Sequence, residues 1–300
     1  MKVLVLLGGN SNEREVSLRS GTAVSMALQE AGHIVIEYDP KNGYAGLDEH
    51  SGKVDAVFPI LHGRGGEDGE AQTQLEQRGF KYLGSDSSVS EFCFNKVKVK
   101  EKLNKLSILT PAYEIVDLKS VEDSAIYKSG QYVLKPISGG STIDAFIVDQ
   151  PGEQADLSVF DKYEKMLLEE LIVGTEITIS IVDGKALPVI EIIPPAGEDF
   201  NYENKYNGES QELCPPQHVS RHLQNKAQQI AEQVHKTVGA RHLSRVDIMI
   251  DKTDRLWVLE INTMPGLTDQ SLFPKAANVA GITMPQLVDR FVNLAVGNII

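Results

Sequence analysis

The segment DRLWVLEINTMPG, residues 254–266, decides how the C-terminal part of this chain folds. Its apolar run LWVLEI is typical of a buried strand, yet it carries a carboxylate at Glu260, and an amide follows at Asn262. Side chains two residues apart on a strand point to the same face, so these two oxygen-bearing groups converge. Packing alone does not require such a pair, which raises the question of what the two side chains bind.

The preceding segment SRVDIMID predicts a partner strand, with DKTD as the turn between the two. If Ile250 pairs with Arg255 across that turn, Asp247 lies diagonal to Glu260. Diagonal neighbours in an antiparallel pair are about 7–8 Å apart, a distance that two carboxylates can span around a cation. The hairpin therefore predicts oxygen ligands on one face, as in a magnesium site. A solvated hairpin face would carry the same residues, and the hairpin alone leaves both interpretations open.

The composition is that of a globular protein with a large core, since 41% of the 300 residues are hydrophobic and 24% are charged. This length predicts two or three domains. The formal net charge of −13 argues against non-specific binding of nucleic acid and against docking on anionic membranes. A phosphate-bearing ligand would have to be held by local lysines, a divalent metal and backbone N–H groups.

Cysteine usage and hydropathy predict a cytoplasmic protein. Cys93 and Cys214 lack the spacing of metal ligands and form no disulfide framework, so a reducing compartment is expected. The N-terminal run MKVLVLLGGN is too short for a signal peptide, and no segment approaches membrane-spanning length.

The order of the predicted elements indicates an α/β fold class with α+β elements and three subdomains. Strands at 2–7, 34–39 and 54–61 alternate with helical patterns, which predicts an open α/β sheet over 1–84. A lysine-rich helix at 91–106 and a strand at 132–136 open a mixed subdomain over 85–178. Further strands, a helix at 223–239, the hairpin and a closing helix make up 179–300.

Three loops could contact a ligand. GGNSNEREVS (8–17) follows the first strand, and Ser11 or Asn12 could cap the helix after it. Glu13 in this loop is either a first-turn acid favoured by the helix dipole or a group that grips an ammonium ion. FPILHGRGGEDGEAQ (58–72) places His62 in a glycine-rich loop directly after a strand, although an ordinary surface loop would look similar.

The third loop, in LKPISGGSTIDAF (134–146), has Lys135 at a strand end followed by glycines and hydroxyl residues. It joins two strands and lacks the Walker pattern, so backbone N–H groups would form any phosphate cradle. A plain glycine-rich hairpin is the alternative. The polar loop NYENKYNGES (201–210) is long for a connection, and Ser271 in MPGLTDQSLFP could offer its hydroxyl to a carboxylate.

Taken together, these segments resemble the D-alanine–D-alanine ligase family of the ATP-grasp superfamily. The resemblance runs from Lys2 to about Val292, and its motifs occur in one order: GGNSNEREVSLRSG, LHGRGGEDGEAQ, KPISGGST, ENKY, SRVDIMID, LEINTMPG and TDQSLFPKAA. No single motif is decisive, but seven in register are highly specific. The resemblance implies an ATP-grasp fold, in which an N-terminal open α/β sheet and two mixed α+β subdomains enclose the nucleotide.

The family joins two D-alanines for peptidoglycan, and ATP converts the first into a D-alanyl phosphate that the amine of the second attacks. The resemblance implies ATP and two Mg²⁺ ions, for which Mn²⁺ can substitute, as well as a homodimer. The implied metal ligands are Asp247, Glu260 and Asn262, in agreement with the hairpin face. Few, hard oxygen ligands suit Mg²⁺, which keeps several waters and takes phosphate oxygens.

The resemblance also implies which residues contact ATP. The phosphate-side lysines and the glycine-rich lid are Lys96, Lys135, Lys205, Gly140, Ser141 and Thr142. The residues on the adenine and ribose side are Glu169, Leu171, Ile172, Glu176 and Met249.

The two D-alanines are assigned to residues in the same way. Glu13 would bind the ammonium of the first D-alanine and His62 would lie near its carboxylate. Arg245 and the Gly266 N–H would stabilise the oxyanion of the tetrahedral intermediate. Tyr206 would close the loop through a hydrogen bond from its hydroxyl to Ser141. Ser271 and Leu272 would hold the carboxylate of the second D-alanine.

Two positions depart from the family pattern. The family's lid usually reads GSSVG where this chain has GSTID, so Asp144 replaces a glycine. Its charge should oppose ATP unless the side chain points outward or meets a cation. Asn95 stands before Lys96 where an aspartate is usual.

Three other functions are alternatives to this ligase activity. A relative that binds nucleotide but has lost turnover is suggested by Asp144. A ligase with D-lactate or D-serine as its second substrate fits the same motifs. A nicotinamide dehydrogenase is disfavoured, because GxGxxG is absent after the first strand.

Overall fold

The computed structural model of the chain describes residues 1–140, 144–150, 152–194 and 210–297. Four predicted site residues lie outside these ranges: Ser141, Thr142, Lys205 and Tyr206. No helix among the described residues combines the length and the apolar character needed to cross a bilayer.

The N-terminal sheet is parallel and has the order β2-β1-β3. Its strands are β1 (Lys2–Leu6), β2 (Ile34–Tyr38) and β3 (Ala56–Pro59), as predicted. β1 is buried over almost its whole length because helices and loops cover both faces of a parallel sheet. Helix α1 (Arg14–Glu30) connects β1 to β2, and two 3₁₀ turns (Pro40–Asn42 and Ala45–His50) precede β3.

The end of the chain completes the core of this first sheet. Helices α7 (Leu272–Val279) and α8 (Met284–Val296) follow the hairpin, where one closing helix was predicted. The ring of Phe291 on α8 lies edge-on to Phe58 on β3, at 6.2 Å between centroids, and Phe273 packs on its other side at 5.8 Å. Residues of the predicted third subdomain therefore share a hydrophobic core with the first.

Helices α2 (Glu70–Gln77), α3 (Ser87–Phe94) and α4 (Lys96–Lys105) lead to the second sheet. The prediction of one continuous helix over 91–106 was wrong, because the backbone is extended at Asn95 (φ −93°, ψ 103°). The Asn95 side chain accepts a hydrogen bond from the Lys98 N–H and so starts a new helix. The amide thus provides the N-cap that an aspartate would provide.

The second sheet is antiparallel, in the order β4-β7-β5-β6. Its strands are β4 (Tyr113–Val116), β5 (Tyr132–Pro136), β6 (Phe146–Val148) and β7 (Met166–Glu170). Helix α5 (Ala125–Lys128) and the 3₁₀ turns Val121–Asp123 and Leu157–Asp161 pack apolar residues against this sheet. The glycine-rich segment joins β5 to β6, so its flanks are held by paired strands.

The third sheet has the order β11-β10-β8-β12-β13, with β9 paired to β8. Its strands are β8 (Gly174–Val182), β9 (Lys185–Ala186), β10 (Ile190–Ile193), β11 (Gln211–Leu213), β12 (Leu243–Asp251) and β13 (Leu256–Asn262). Helix α6 (Arg221–Val238) covers one face with Ala227, Ala231 and Val234. β8 runs across residues 178 and 179, where the predicted subdomain boundary lies; the three-part division stays a prediction.

Candidate active site

The hairpin of β12 and β13 brings the predicted oxygen ligands closer than expected. Asp247 pairs directly with Glu260, and Arg245 pairs with Asn262. The predicted pairing of Ile250 with Arg255, which put Asp247 on a diagonal, was wrong on two counts. The turn is wider, so that Ile250 pairs with Leu256, and a β-bulge follows between residues 247 and 248.

The wider turn is held by the carboxylate of Asp251. Its oxygens accept hydrogen bonds from the N–H groups of Thr253 and Arg255, at 2.8 and 3.1 Å. Asp254 takes a left-handed conformation (φ 61°), which aspartate tolerates better than most residues. The bulge then moves the rest of β13 by one residue and aligns the two acids.

Asp247 is held in place by two neighbouring side chains. The guanidinium of Arg245 donates to both of its oxygens, from Nε at 2.9 Å and from Nη2 at 2.8 Å. The hydroxyl of Thr178, opposite Asp247 on β8, donates to the carboxylate at 2.6 Å. Such a bidentate pair is geometrically specific, so the arginine and the acid are positioned together.

Two clefts meet at the acid pair. The wide cleft, of about 800 Å³, is lined by Glu13, His62, Arg245, Asn262, Gly266, Ser271 and Leu272. The narrow cleft, of about 140 Å³, is lined by Lys96, Lys135, Gly140, Glu169, Leu171, Ile172, Glu176 and Met249. Asp247 and Glu260 line both clefts. Every predicted site residue that the structure describes therefore lines one of these two connected clefts.

Glu13 and His62 form the wall of the wide cleft that α1 and the loop after β3 contribute. Glu13 itself occupies the N-cap position of α1, where Ser11 or Asn12 was predicted. The Ser11 hydroxyl accepts from the Glu13 N–H and donates to the carbonyl of His62 at 2.7 Å, tying the two loops together. The buried His62 ring contacts the Ser20 hydroxyl through Nε2 at 3.1 Å.

Gly140 lies against this wall. A Cβ atom at residue 140 would be only 2.8 Å from Glu13 Oε2 and 3.4 Å from Glu67 Oε2. Any larger residue at position 140 would therefore displace the Glu13 carboxylate, and glycine lets the segment after β5 approach both acids closely.

The opposite wall of the wide cleft contains the start of α7. Ser271 is the N-cap residue, but its hydroxyl makes no capping bond and instead accepts from the Thr268 N–H at 3.0 Å. A Cβ at Gly266 would be 2.9 Å from this hydroxyl, so a larger residue there would displace the Ser271 side chain. The first-turn N–H groups and the helix dipole suit an anion such as a carboxylate.

Two lysines, Lys96 and Lys135, line the narrow cleft, and each lies beside a carboxylate. Lys96 Nζ donates to the Gly139 carbonyl at 2.6 Å and lies 3.5 Å from Glu260 Oε2. Lys135 Nζ lies 2.8 Å from Oε2 of the buried Glu169. Burial alone would lower the pKa of Lys135, but the nearby carboxylates of Glu169 and Glu260 outweigh it and raise the pKa overall. The lysine is therefore charged and available to a phosphate.

Sequence reasoning missed three residues of the site: Lys100, Thr178 and Glu67. Lys100 lies one helical turn after Lys96, a spacing that puts both on one face of α4 and could have been noticed. Thr178 reaches Asp247 only through pairing of distant strands, for which the sequence has no local signal. Glu67 lies 3.6 Å from His62 Nδ1.

Asp144 is accounted for by its surroundings. Its backbone is left-handed (φ 56°), a conformation for which glycine is the usual residue and which aspartate adopts more readily than most. Its carboxylate accepts from Lys162 Nζ at 3.0 Å and from the Tyr163 hydroxyl at 2.9 Å. The Asp144 carboxylate therefore meets a cation, which is one of the two arrangements in which its charge would not oppose ATP.

We therefore expect Asp144→Asn to change the KM for ATP by no more than about twofold, because the charge it removes is already compensated. Lys162→Met should raise this KM, since it leaves the carboxylate without its cation, and the double variant should return it towards the wild-type value. Steady-state kinetics at low and high ionic strength test this. A tenfold fall in the KM of Asp144→Asn would show that the carboxylate faces the phosphates uncompensated.

The predicted metal ligands fit Mg²⁺ by donor chemistry. Asp247, Glu260 and Asn262 offer carboxylate and amide oxygens at the point where the clefts meet. Among the described residues no group of three or more His, Cys, Asp or Glu is arranged around a possible ion. A set of only two acids and an amide suits a cation that also takes water and phosphate ligands.

Comparisons with known proteins agree with this arrangement. The family model described as D-ala D-ala ligase C-terminus matches residues 90–293. A D-alanine--D-alanine ligase of Pseudoalteromonas translucida is 40% identical over 294 residues, covering 96% of this chain and 95% of the relative. A D-alanine--D-alanine ligase of Desulforamulus reducens is 36% identical over 312 residues, covering 98% of each.

A solved structure gives the same result for the fold. The D-alanine--D-alanine ligase from Bacillus anthracis, complexed with ATP, superposes with a TM-score of 0.84 at 30% identity, covering 98% of this chain and 97% of that one. The predicted ATP-grasp fold is thereby confirmed. Matches that extend over nearly the whole chain place it, without ambiguity, in the D-alanine–D-alanine ligase family.

Proposed function

We propose that this protein joins two D-alanines into D-alanyl-D-alanine, with conversion of ATP to ADP and phosphate, for peptidoglycan precursor synthesis. The observation that carries the proposal is the meeting of the two clefts at Asp247 and Glu260. A nucleotide in the narrow cleft would direct its phosphates towards a substrate in the wide cleft. Family membership and the printed activity of the relatives support the same reaction.

ATP is the nucleotide that the narrow cleft suits. Lys96 and Lys135 supply positive charge at its base, and Glu176 offers a carboxylate to ribose hydroxyls. Leu171, Ile172 and Met249 provide the apolar contacts that an adenine ring needs. Mg²⁺, held by Asp247, Glu260 and Asn262, would neutralise charge on the transferring phosphoryl group; Mn²⁺ would substitute for it.

The first step forms an acyl phosphate. Glu13 binds the ammonium of the first D-alanine and His62 lies at its carboxylate, with both groups on the wall of the wide cleft. A carboxylate oxygen attacks the γ-phosphorus, the bond from phosphorus to the bridging oxygen breaks, and ADP leaves. Positioning of the two reactants contributes much of the rate in such a transfer.

The second step forms the amide bond. Ser271 and Leu272 at the start of α7 bind the carboxylate of the second D-alanine, whose neutral amine attacks the carbonyl carbon of the acyl phosphate. Arg245 and the Gly266 N–H stabilise the oxyanion that develops. Its collapse expels phosphate, and the amine proton passes to solvent or a neighbouring base. Roles for Ser141, Thr142, Lys205 and Tyr206 in phosphate binding and closure remain predictions.

An ADP-release assay across D-alanine, L-alanine, D-serine and D-lactate, with products identified by mass, tests the proposal. We expect ADP release that depends on D-alanine and yields the D-alanyl dipeptide. If a product formed only when D-lactate or D-serine was supplied with D-alanine, that compound, and not D-alanine, would be the second substrate. Nucleotide binding without amino-acid-dependent ADP release would instead indicate a relative that has lost turnover.

The assembly and location follow the family expectation. We propose that the protein is a homodimer and that it works in the cytoplasm. The free thiols of Cys93 and Cys214 fit a reducing compartment. Light scattering of the purified protein checks the assembly, and a monomer at micromolar concentration would contradict it.

A further inference from the structure

Lys100 is a buried charge that the proposed reaction does not use. Its side chain is 1% exposed, and it lies on α4 one turn after Lys96. Its Nζ lies 2.8 Å from Glu169 Oε1, 2.8 Å from Thr110 Oγ1 and 3.3 Å from the Pro111 carbonyl. Two of these contacts are hydrogen bonds, to Thr110 and Pro111, and the contact with Glu169 is an ion pair. Because Lys100 is buried and lines neither cleft, we expect it to act on a ligand only through its neighbours.

Glu169 is shared by two lysines. Lys100 contacts Oε1 and Lys135 contacts Oε2, each at 2.8 Å. Burial of Glu169 would raise its pKa, but Lys135 and Lys100 outweigh burial, so the pKa lies below its usual value. Burial lowers the pKa of Lys100 to about 8, so Lys100 is still mostly protonated at pH 7. Taken by themselves, these three groups then carry one negative and two positive charges, and the carboxylate of Glu260 acts on Lys135 in addition. Their sum is one positive charge in a chain whose formal net charge is −13.

This sum depends on Lys100. Without it, Lys135 and Glu169 would form a neutral pair, and the charge of Lys135 would be offset by its own partner. With it, Glu169 is compensated from the side away from the cleft, since Glu169 and Lys135 line the narrow cleft and Lys100 does not. The charge of Lys135 is then left for an anion in the cleft.

We infer that Lys100 is a positioning residue for nucleotide binding, which compensates Glu169 so that the charge of Lys135 acts on the nucleotide's phosphates. This inference rests on the proposed function, because it needs a phosphate-bearing nucleotide in the narrow cleft. It also explains why α4 carries both lysines on one face. Lys96 contacts the Gly139 carbonyl, whereas Lys100 acts through Glu169 on the neighbouring sheet.

Calorimetric titration with ADP and with adenosine separates this role from simple scaffolding. Lys100→Met should weaken ADP binding by about tenfold and adenosine binding by less than about twofold, because the lost charge acts on phosphates alone. Lys100→Arg keeps the charge and should restore most of the ADP affinity. The control Lys98→Met removes an exposed lysine of the same helix, paired with Glu91, and should bind both ligands as wild type does.

The double variant Lys100→Met with Glu169→Gln provides a second test that works even if Lys100→Met alone fails to fold. It removes the charge of Glu169 from Lys135, leaves the carboxylate of Glu260 as in the wild type, and returns the sum for these three positions to one positive charge. Its preference for ADP over adenosine should therefore match the wild type.

The inference would be overturned if Lys100→Met lost the same factor of affinity for ADP and for adenosine. It would also be overturned if the double variant preferred ADP over adenosine tenfold less than the wild type does. Failure of the wild-type protein to bind ADP would overturn the proposed function instead.

Discussion

Glu260→Gln should lower turnover by on the order of a thousandfold while leaving the fold intact. Glu260 lines both clefts and pairs with Asp247, so it is placed to hold a cation between nucleotide and substrate. Charge stabilisation by a bound metal is worth several kcal/mol, and each 1.36 kcal/mol is about tenfold in rate. Steady-state kcat measured at saturating magnesium, with circular dichroism to confirm folding, gives the result.

Asp254→Asn is the matched control for this variant. It removes a carboxylate from the turn of the same hairpin, and asparagine tolerates the left-handed backbone there (φ 61°). Turnover of the control should equal that of the wild type. Near-normal turnover of Glu260→Gln at saturating magnesium would show that the metal assignment is wrong.

Arg245→Met should lower kcat by about a hundredfold to a thousandfold, the range found when one donor to a developing oxyanion is removed. The guanidinium lines the wide cleft next to Asn262, and it is oriented by two hydrogen bonds to Asp247. Because the interaction is made with charge that develops during acyl transfer, the KM for ATP should change much less than kcat.

Arg255→Met controls for loss of an arginine from the same hairpin. Arg255 also pairs with an aspartate, Asp251, but at the exposed turn. It should leave kcat unchanged. If Arg245→Met lowered kcat no more than this control did, Arg245 would have no role in stabilising the oxyanion.

Much of the fold follows from local patterns. The strands at the N-terminus were predicted within two residues, because their apolar runs end at glycine, proline or polar turns. The shared face of Glu260 and Asn262 also follows from strand geometry alone and needs no tertiary information. Local side-chain periodicity is thus sufficient to predict a feature that depends on the residues of one strand alone.

Pairing between strands was less predictable. The bulge after Asp247 and the wider turn at Asp251 shift the register, and both depend on hydrogen bonds that periodicity does not encode. The break at Asn95 interrupts a helical pattern because a side-chain cap outweighs continuation of the helix. The errors in the hairpin were errors of register, and Asp247, Glu260 and Asn262 still line the same cleft.

Contacts between distant elements could not be predicted at all. The compensation of Asp144 by Lys162 depends on the packing of a 3₁₀ turn beside the exit of the glycine-rich segment. The sequence alone suggested that this acid would weaken ATP binding unless it pointed outward or met a cation, and its salt bridge with Lys162 meets the second condition. The pairing of Glu169 with Lys100 likewise joins a strand to a helix some seventy residues earlier.

Transfer of oxygen from substrate to phosphate tests the central claim most directly. D-Alanine labelled with ¹⁸O in its carboxylate is supplied with ATP, and the inorganic phosphate formed is analysed by mass. If a D-alanyl phosphate precedes amide formation, the attacking carboxylate oxygen leaves with the phosphate. We expect one ¹⁸O atom in each phosphate released, together with D-alanyl-D-alanine. Dipeptide formed with unlabelled phosphate would contradict it.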